Sequence, residues 1–130
     1  MTVPAHRDEA LIEHGRAVLA GMKDLAASLK VAMLLTDDGF EVARYPEVET
    51  DGRFASISSA IQALSDAVTR ELAMGSTDSV IIASATGHVV QRRIPGRPLV
   101  LAAVFDSEET LGKALSVSRL SAEKLTTDAT

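Results

Sequence analysis

The three histidines of this chain could each act as acid, base or metal ligand. Their positions, however, match no known site motif. His6, His14 and His88 share no metal-ligand spacing, and no HExxH motif occurs. The chain also contains no cysteine, which removes thiol catalysis, disulfides and cysteine-ligated zinc. We therefore expect no bound metal.

Other chemical motifs fail on spacing or on context. Gly15 and Gly21 precede Lys23, but the spacing departs from the phosphate-binding pattern GxxxxGK(S/T), and a helical periodicity runs through both glycines. No GxSxG motif for a hydrolase nucleophile occurs. The acidic stretch 37–41 lacks the twelve-residue spacing of a calcium loop. The sequence predicts no catalytic residue, no cofactor and no enzyme activity.

Composition and charge narrow the classes of partner. A chain with a net charge of −5 lacks the basic surface of a nucleic-acid-binding protein. Only three phenylalanines and one tyrosine, with no tryptophan, could stack on bases. Both observations argue against nucleic-acid binding. The longest apolar run, Leu99 to Phe105, is far shorter than the roughly 20 residues that span a bilayer. Charges occupy the first ten residues, where a signal peptide would be apolar. We expect one cytoplasmic domain over residues 1–130, with no nucleic-acid partner and no membrane insertion.

Hydrophobic periodicity predicts the order helix, two strands, helix, three strands, helix. The first strand (31–36) and the fifth (99–105) are apolar on both faces, so they belong in the centre of a sheet with helices on both sides. The remaining expected elements are a helix over 11–29, a strand over 40–45, a helix over 53–74 capped by Thr50 or Asp51, strands over 79–85 and 88–94, and a helix from Asp106, with Glu109 at capping-box spacing, to about Leu125.

The two predicted edge strands differ in protection. The second strand carries Glu41, Arg44 and Pro46, which blunt an edge against unwanted pairing. The third strand is apolar on both faces and has no charge in its middle. Such an edge is an aggregation hazard unless another strand pairs with it. The third strand is therefore expected to pair with a second copy.

The second helix is predicted to present three different faces. Its apolar stripe is expected to pack on the sheet and consists of Phe54, Ile57, Ile61, Leu64, Val68 and Leu72. A small-residue flank is expected to allow close approach of another helix and consists of Ala60, Ala63 and Ala67. An outward, lightly charged face is expected opposite the stripe and consists of Ser59, Gln62, Asp66 and Arg70.

Six segments in fixed order carry a family resemblance. They are VAMLLTDDG at 31–39, the helix over 57–74, SVIIA at 79–83, GHVV at 87–90, LVLAAVF at 99–105 and Leu111-Gly112. Together they resemble the Roadblock/dynein light chain family over about residues 8–125. The resemblance implies an α/β, α-ββ-α-βββ-α profilin-like three-layer fold with strand order 2-1-5-4-3. It also implies a homodimer joined through strand three, with the second helices side by side.

The resemblance also implies a function. Members of that family regulate or scaffold small Ras-like GTPases, serve as dynein light chains or assemble signalling complexes, and bacterial relatives include activators of gliding-motility GTPases. We therefore expect a non-catalytic homodimeric regulator or scaffold that binds a Ras-like GTPase through the outward face of the second helix. The expected dimer interface comprises Ala60, Ala63, Ala67, Val80, Ile81, Ile82 and Ala83.

Two alternatives stay open at the level of sequence. A small-molecule sensing domain of PAS or longin-like type shares this element pattern, and it would need a pocket between helix and sheet with convergent polar groups. Arg97, in the Pro-Gly-Arg-Pro turn, is the one loop arginine that could insert into a GTPase active site.

Overall fold

Three helices and five strands follow one another in the order that the periodicity predicts. The computed structural model describes residues 3–48 and 52–127, so the predicted caps Thr50 and Asp51 lie outside the described residues. A short 3-10 turn at Ala5–Arg7 precedes the first helix. The elements are α1 (Glu9–Leu25), β1 (Leu29–Thr36), β2 (Glu41–Tyr45), α2 (Arg53–Glu71), β3 (Ser79–Ser84), β4 (Gly87–Arg93), β5 (Leu99–Asp106) and α3 (Leu111–Lys124).

The five strands form one antiparallel sheet in the order β2-β1-β5-β4-β3. The apolar strands β1 and β5 lie in the centre, with Leu34 opposite Leu101, and both residues are fully buried. The edges are the protected strand β2 and the unprotected strand β3. The predicted fold class and strand order are confirmed.

The two sides of the sheet are unequal. The helices α1 and α3 cover one side over a cluster of twenty buried apolar residues, which includes Leu19, Met22 and Phe105. On the α2 side, the buried apolar cluster among the described residues consists of Met33, Leu35 and Ala55. Hydrophobic stabilisation scales with the apolar area that is removed from water. The side under α1 and α3 therefore supplies most of this stabilisation.

Two helices end earlier than predicted. The first ends at Leu25, because Ala26 is already extended (φ −143°) and Leu29 begins β1, where it lies opposite Phe105. Leu29 is apolar at a position that fits both a helical stripe and a buried strand, so periodicity placed it in the wrong element. The second helix ends at Glu71 rather than Met74, since Ala73 adopts a positive φ of 53°.

The last helix begins five residues later than predicted. Thr110 is its cap, and its side chain accepts a hydrogen bond from the Lys113 N–H at 3.2 Å. Asp106 ends β5 and accepts from the Glu108 N–H at 2.9 Å. The expected pair of Asp106 and Glu109 is therefore not a capping box, because the buried Glu109 carboxylate instead accepts a hydrogen bond from the Ser28 hydroxyl.

Two glycines give a paired prediction for stability. A Cβ on Gly87, at the turn between β3 and β4, would lie 2.5 Å from the carbonyl oxygen of Phe105, whereas one on Gly21 in α1 would meet nothing within 4 Å. We expect Gly87→Ala to destabilise the fold by about 1–3 kcal/mol, because backbone must shift. Gly21→Ala should stabilise it by about 0.5–1 kcal/mol through helix propensity. Urea denaturation of both variants measures the difference, and equal midpoints would contradict this close approach.

Candidate interaction surface on the second helix and third strand

The helix α2 lies on the sheet with the opposite face from the one that its apolar stripe predicts. Gln62, expected to face solvent, is only 3% exposed. Ser59 and Asp66 are half-buried on the side of α2 that faces the sheet. Only Arg70 of the predicted outward face is exposed. The prediction that Ser59, Gln62, Asp66 and Arg70 form a solvent-facing surface is therefore wrong.

The apolar stripe of α2 correspondingly faces away from the sheet. Leu64 is 68% exposed, and Ile57, Val68 and Leu72 are each about half exposed or more. Ile61 is half-buried. The prediction that this stripe packs on the sheet is wrong at the four exposed positions, because polar side chains of α2 occupy the contact instead. It is confirmed at Phe54, which packs against the buried cluster of Met33, Leu35 and Ala55.

Gln91 of β4 is the centre of that polar contact. Its side-chain amide donates to the Ser58 carbonyl oxygen at 3.0 Å and to Oε1 of Gln62 at 3.0 Å. Its own Oε1 accepts from the Ser58 hydroxyl at 2.5 Å. All three residues are at most 3% exposed. Buried amides and hydroxyls need such partners, and here each finds one.

The network continues from Gln62 to the turn between β1 and β2. The Gln62 amide donates to Oδ1 of Asp66 at 3.2 Å, and Arg93 donates to Oδ2 of Asp66 at 2.7 Å and to Oδ1 of Asp37 at 2.8 Å. The Ser59 hydroxyl donates to the Asp37 carbonyl oxygen at 3.1 Å. Hydrogen bonds and ion pairs thus tie α2 to β4 and to the β1–β2 turn.

The edge strand β3 is as open as its sequence suggests. Within the described residues it pairs only with β4, and Ile81 and Ile82 are each 42% exposed. Val80 lies opposite Gln91 and Ile82 opposite Val89, so both point to the α2 side of the sheet. The free edge therefore presents apolar side chains beside unpaired backbone groups.

The apolar face of α2 and the edge of β3 are continuous. Leu64, Val68, Thr77 and Val80 line a groove of about 340 Å³ between helix and strand. A contiguous exposed apolar patch of this kind marks an interaction site in soluble proteins. We call it the α2–β3 surface and define it by Ile57, Leu64, Val68, Leu72, Val80 and Ile82.

Comparison with known proteins shows which solved structures share this architecture. No sequence-family model matches the chain, and no curated protein matches it by sequence. Solved structures do match: Myxococcus xanthus MglB has a TM-score of 0.82 at 16% identity, covering 97% of this chain and 92% of that one. The gliding protein MglB of Thermus thermophilus gives 0.79 at 19% (90% and 89% covered), and a Roadblock/LC7 domain of Streptomyces avermitilis gives 0.77 at 13% (85% and 92%). The chain has the Roadblock fold.

On this Roadblock fold, the residues of the predicted dimer interface lie at the surface. Six are exposed and Val80 is half-buried; the exposed ones are Ala60, Ala63, Ala67, Ile81, Ile82 and Ala83. Each residue of a helix turns about 100° from the one before. Ala63 and Ala67 directly precede Leu64 and Val68, so they lie on the flank of α2 that points away from β3.

The histidines of this Roadblock fold serve structural contacts. Nε2 of His14 donates to the Lys124 carbonyl oxygen at 2.7 Å, and Nε2 of His88 donates to the Glu109 carbonyl oxygen at 3.1 Å. The ring of His6 stacks on Phe40 at 4.4 Å. In residues 3–48 and 52–127, no group of three or more histidine or acidic side chains could hold a metal ion. Across the same residues, no helix is long and apolar enough to cross a bilayer.

Proposed function

We propose that this chain is a cytoplasmic, homodimeric and non-catalytic regulator or scaffold that binds a Ras-like small GTPase. The observation that carries the proposal is the exposed apolar face of α2 beside the unpaired strand β3. The Roadblock fold and the family resemblance of the sequence support a GTPase as the partner class, as does the likeness to two structures of MglB, one of them described as a gliding protein.

Dimerisation would use the α2–β3 surface. A symmetric interface brings the same patch of two copies together, so it must complement itself. Antiparallel pairing of two β3 strands would satisfy the free backbone groups and extend the sheet across the two-fold axis. Leu64 and Val68, which share the groove with Val80, would then meet the same residues of the second copy. Full burial of each such side chain contributes about 1.5–3 kcal/mol.

The alanine flank of α2, which the sequence predicted to lie in the dimer interface, points away from β3, so we assign it to the GTPase instead. Ala60, Ala63 and Ala67 are exposed, small and uncharged, so a partner can approach the helix closely without desolvating a charge. With the two α2 helices adjacent, the alanine flanks of the two copies would lie on the outer sides of the helix pair, and the surface that spans the pair from one flank to the other would form one composite platform. A single GTPase could cover it, which gives two copies of this chain per GTPase.

Any effect on GTP hydrolysis would come from ordering the switch loops of the GTPase. The candidate loop arginine, Arg97, is half-buried and donates through Nη1 to the Leu125 carbonyl oxygen at 3.3 Å. An arginine finger needs a side chain that can reach into the partner's active site. The contact to Leu125 instead directs Arg97 back to its own chain.

The alternative of a small-molecule sensor has less support. It needs a pocket between α2 and the sheet, and the buried side chains of Ser58, Gln62 and Gln91 occupy that space. A cavity of about 600 Å³ lies instead at the C-terminal end of α2, and its lining includes Asp66, Arg70, Ser76 and Arg93. We therefore retain the GTPase regulator as the single proposal.

The platform gives a direct test. Ala63→Arg places a long charge on the exposed alanine flank, and Ala20→Arg places the same charge on an exposed position of α1, across the sheet. Purified Ras-like GTPases of the same organism, loaded with GDP or a non-hydrolysable GTP analogue, are titrated by calorimetry. We expect one of them to bind the wild type and Ala20→Arg, and Ala63→Arg to lose at least about tenfold in affinity while staying dimeric.

Each other outcome contradicts a separate part of the proposal. If none of the GTPases binds the wild-type protein in either nucleotide state, the GTPase partner is wrong. If Ala63→Arg binds as well as Ala20→Arg, the alanine flank is not the platform. If light scattering shows Ala63→Arg to be monomeric, this flank belongs to the dimer contact instead.

A further inference from the structure

A second groove lies on the other face of the edge strand. Ser79 and Ile81 of β3, together with Arg92 of β4, face α3 across a cavity of about 360 Å³. We call it the α3–β3 groove. On the side of α3 it is lined by Gly112, Leu115, Ser116 and Arg119.

The two arginines of this groove form no ion pair with any residue that the structure describes. Arg92 and Arg93 are neighbours on β4 and point to opposite faces of the sheet. Arg93 is held by the carboxylates of Asp37 and Asp66, whereas Arg92 has no ion pair within the described residues, and its buried Nε has no hydrogen-bond acceptor there. Arg119, exposed on α3, likewise has no ion pair within the described residues. A buried donor without an acceptor is uncommon in folded proteins, and the residue that carries it here lines the groove.

The rest of the lining is suited to a peptide rather than to a simple ion. Ile81 is 42% exposed, and Leu115 is half-buried, so the groove offers apolar contact between its two arginines. The half-buried hydroxyls of Ser79 and Ser116 add hydrogen-bonding groups. Two arginines that form no ion pair among the described residues complement carboxylates.

We propose that the α3–β3 groove binds an acidic segment of a partner protein. One carboxylate of that segment binds Arg92, a second binds Arg119, and an apolar side chain between them packs on Ile81 and Leu115. The groove lies across the sheet from α2, so this partner is distinct from the GTPase proposed above. Pairing of β3 with a second copy would extend the floor of the groove at Ile81 without covering α3.

The test is an NMR titration of the full ¹⁵N-labelled chain with the blocked peptide acetyl-Asp-Leu-Glu-Leu-Asp-amide. We expect saturable shifts of the amides at 79–81, at 92 and at 112–119. Arg119→Gln, an exposed change that leaves Arg92 in place, should weaken binding about tenfold or more, since it removes one charge-assisted contact. Arg7→Gln, at an exposed arginine before α1, is the matched control and should bind as the wild type does.

Several results would overturn the proposal. These are the absence of saturable shifts in the groove, equal binding of a peptide with Asn and Gln in place of the acids, or equal affinity for Arg119→Gln and Arg7→Gln. Inorganic phosphate that reproduces the same shifts at similar concentration would identify a free-anion site instead. Loss of GTPase binding by Arg119→Gln would merge the groove with the GTPase site, whereas retained binding separates the two proposals.

Discussion

Replacing Ile82 with lysine should disrupt the proposed dimer and leave a monomer of 13.7 kDa. Ile82 is 42% exposed, lies near the middle of β3 and points to the α2 side. In an antiparallel pair of β3 strands, two such lysines would come close together and lose water without gaining a partner. An unpaired charge buried in an interface is costly, so we expect the dimer dissociation constant to rise about a hundredfold or more. Gel filtration with light scattering over a concentration series measures it.

Val48→Lys is the control for this experiment. Val48 is 64% exposed, and it follows β2 at the opposite edge of the sheet. The variant adds the same charge in place of a β-branched side chain, so it should remain dimeric. If Ile82→Lys stays dimeric over the range where the wild type does, β3 is not the dimer strand. A monomeric wild type at high micromolar concentration would contradict the dimer itself.

Replacing Gln91 with alanine should destabilise the fold by about 2–4 kcal/mol. The change leaves the hydroxyl of Ser58 and Oε1 of Gln62 buried without their partners, and each unsatisfied group costs about 1–3 kcal/mol. It also leaves a cavity beneath α2. Urea denaturation at constant protein concentration gives the change, because the proposed dimer would make the apparent stability depend on concentration.

A triple variant separates lost hydrogen bonds from lost volume. Ser58→Ala, Gln62→Leu and Gln91→Leu together remove every side chain that Gln91 bonds and restore most of the volume. Because replacing both partners with apolar groups can be nearly neutral, this variant should recover much of the stability that Gln91→Ala loses. If Gln91→Ala lowers the free energy of unfolding by less than about 1 kcal/mol, the network contributes little to the packing of α2 on the sheet.

The positions of the strands in this sheet can be predicted from the sequence, because the alternation of apolar and polar residues shows which faces of each strand are buried. Strands β1 and β5 are apolar on both faces, and only a central position covers both. The bare edge of β3 and the charged edge of β2 give the ends of the sheet, which fixes the order once the fold is recognised. Helix ends are less readable, since Leu29 fits a helix and a strand equally well.

The orientation of α2 could not be predicted in the same way. Periodicity identifies the apolar side of a helix but not what covers it, and a contact with another chain would give the same pattern as a contact with the sheet. One signal was present: Gln91 and Arg93 stand on the same face of β4, an inner strand. Two large polar residues there require polar partners, and α2 supplies them in Ser58, Gln62 and Asp66.

The difference in apolar burial between the two sides of the sheet has a consequence for folding in the cell. The cluster beneath α1 and α3 forms within one chain, whereas in the proposed dimer Leu64 and Val68 of α2 would stay in water until a second copy binds. A newly synthesised chain would then fold before it dimerises, and during that interval the exposed apolar face of α2 and the free edge of β3 would be available to chaperones and to aggregation. Because dimerisation is bimolecular, the interval would lengthen as the concentration of the protein falls, so slow expression would raise the share of chains lost before assembly.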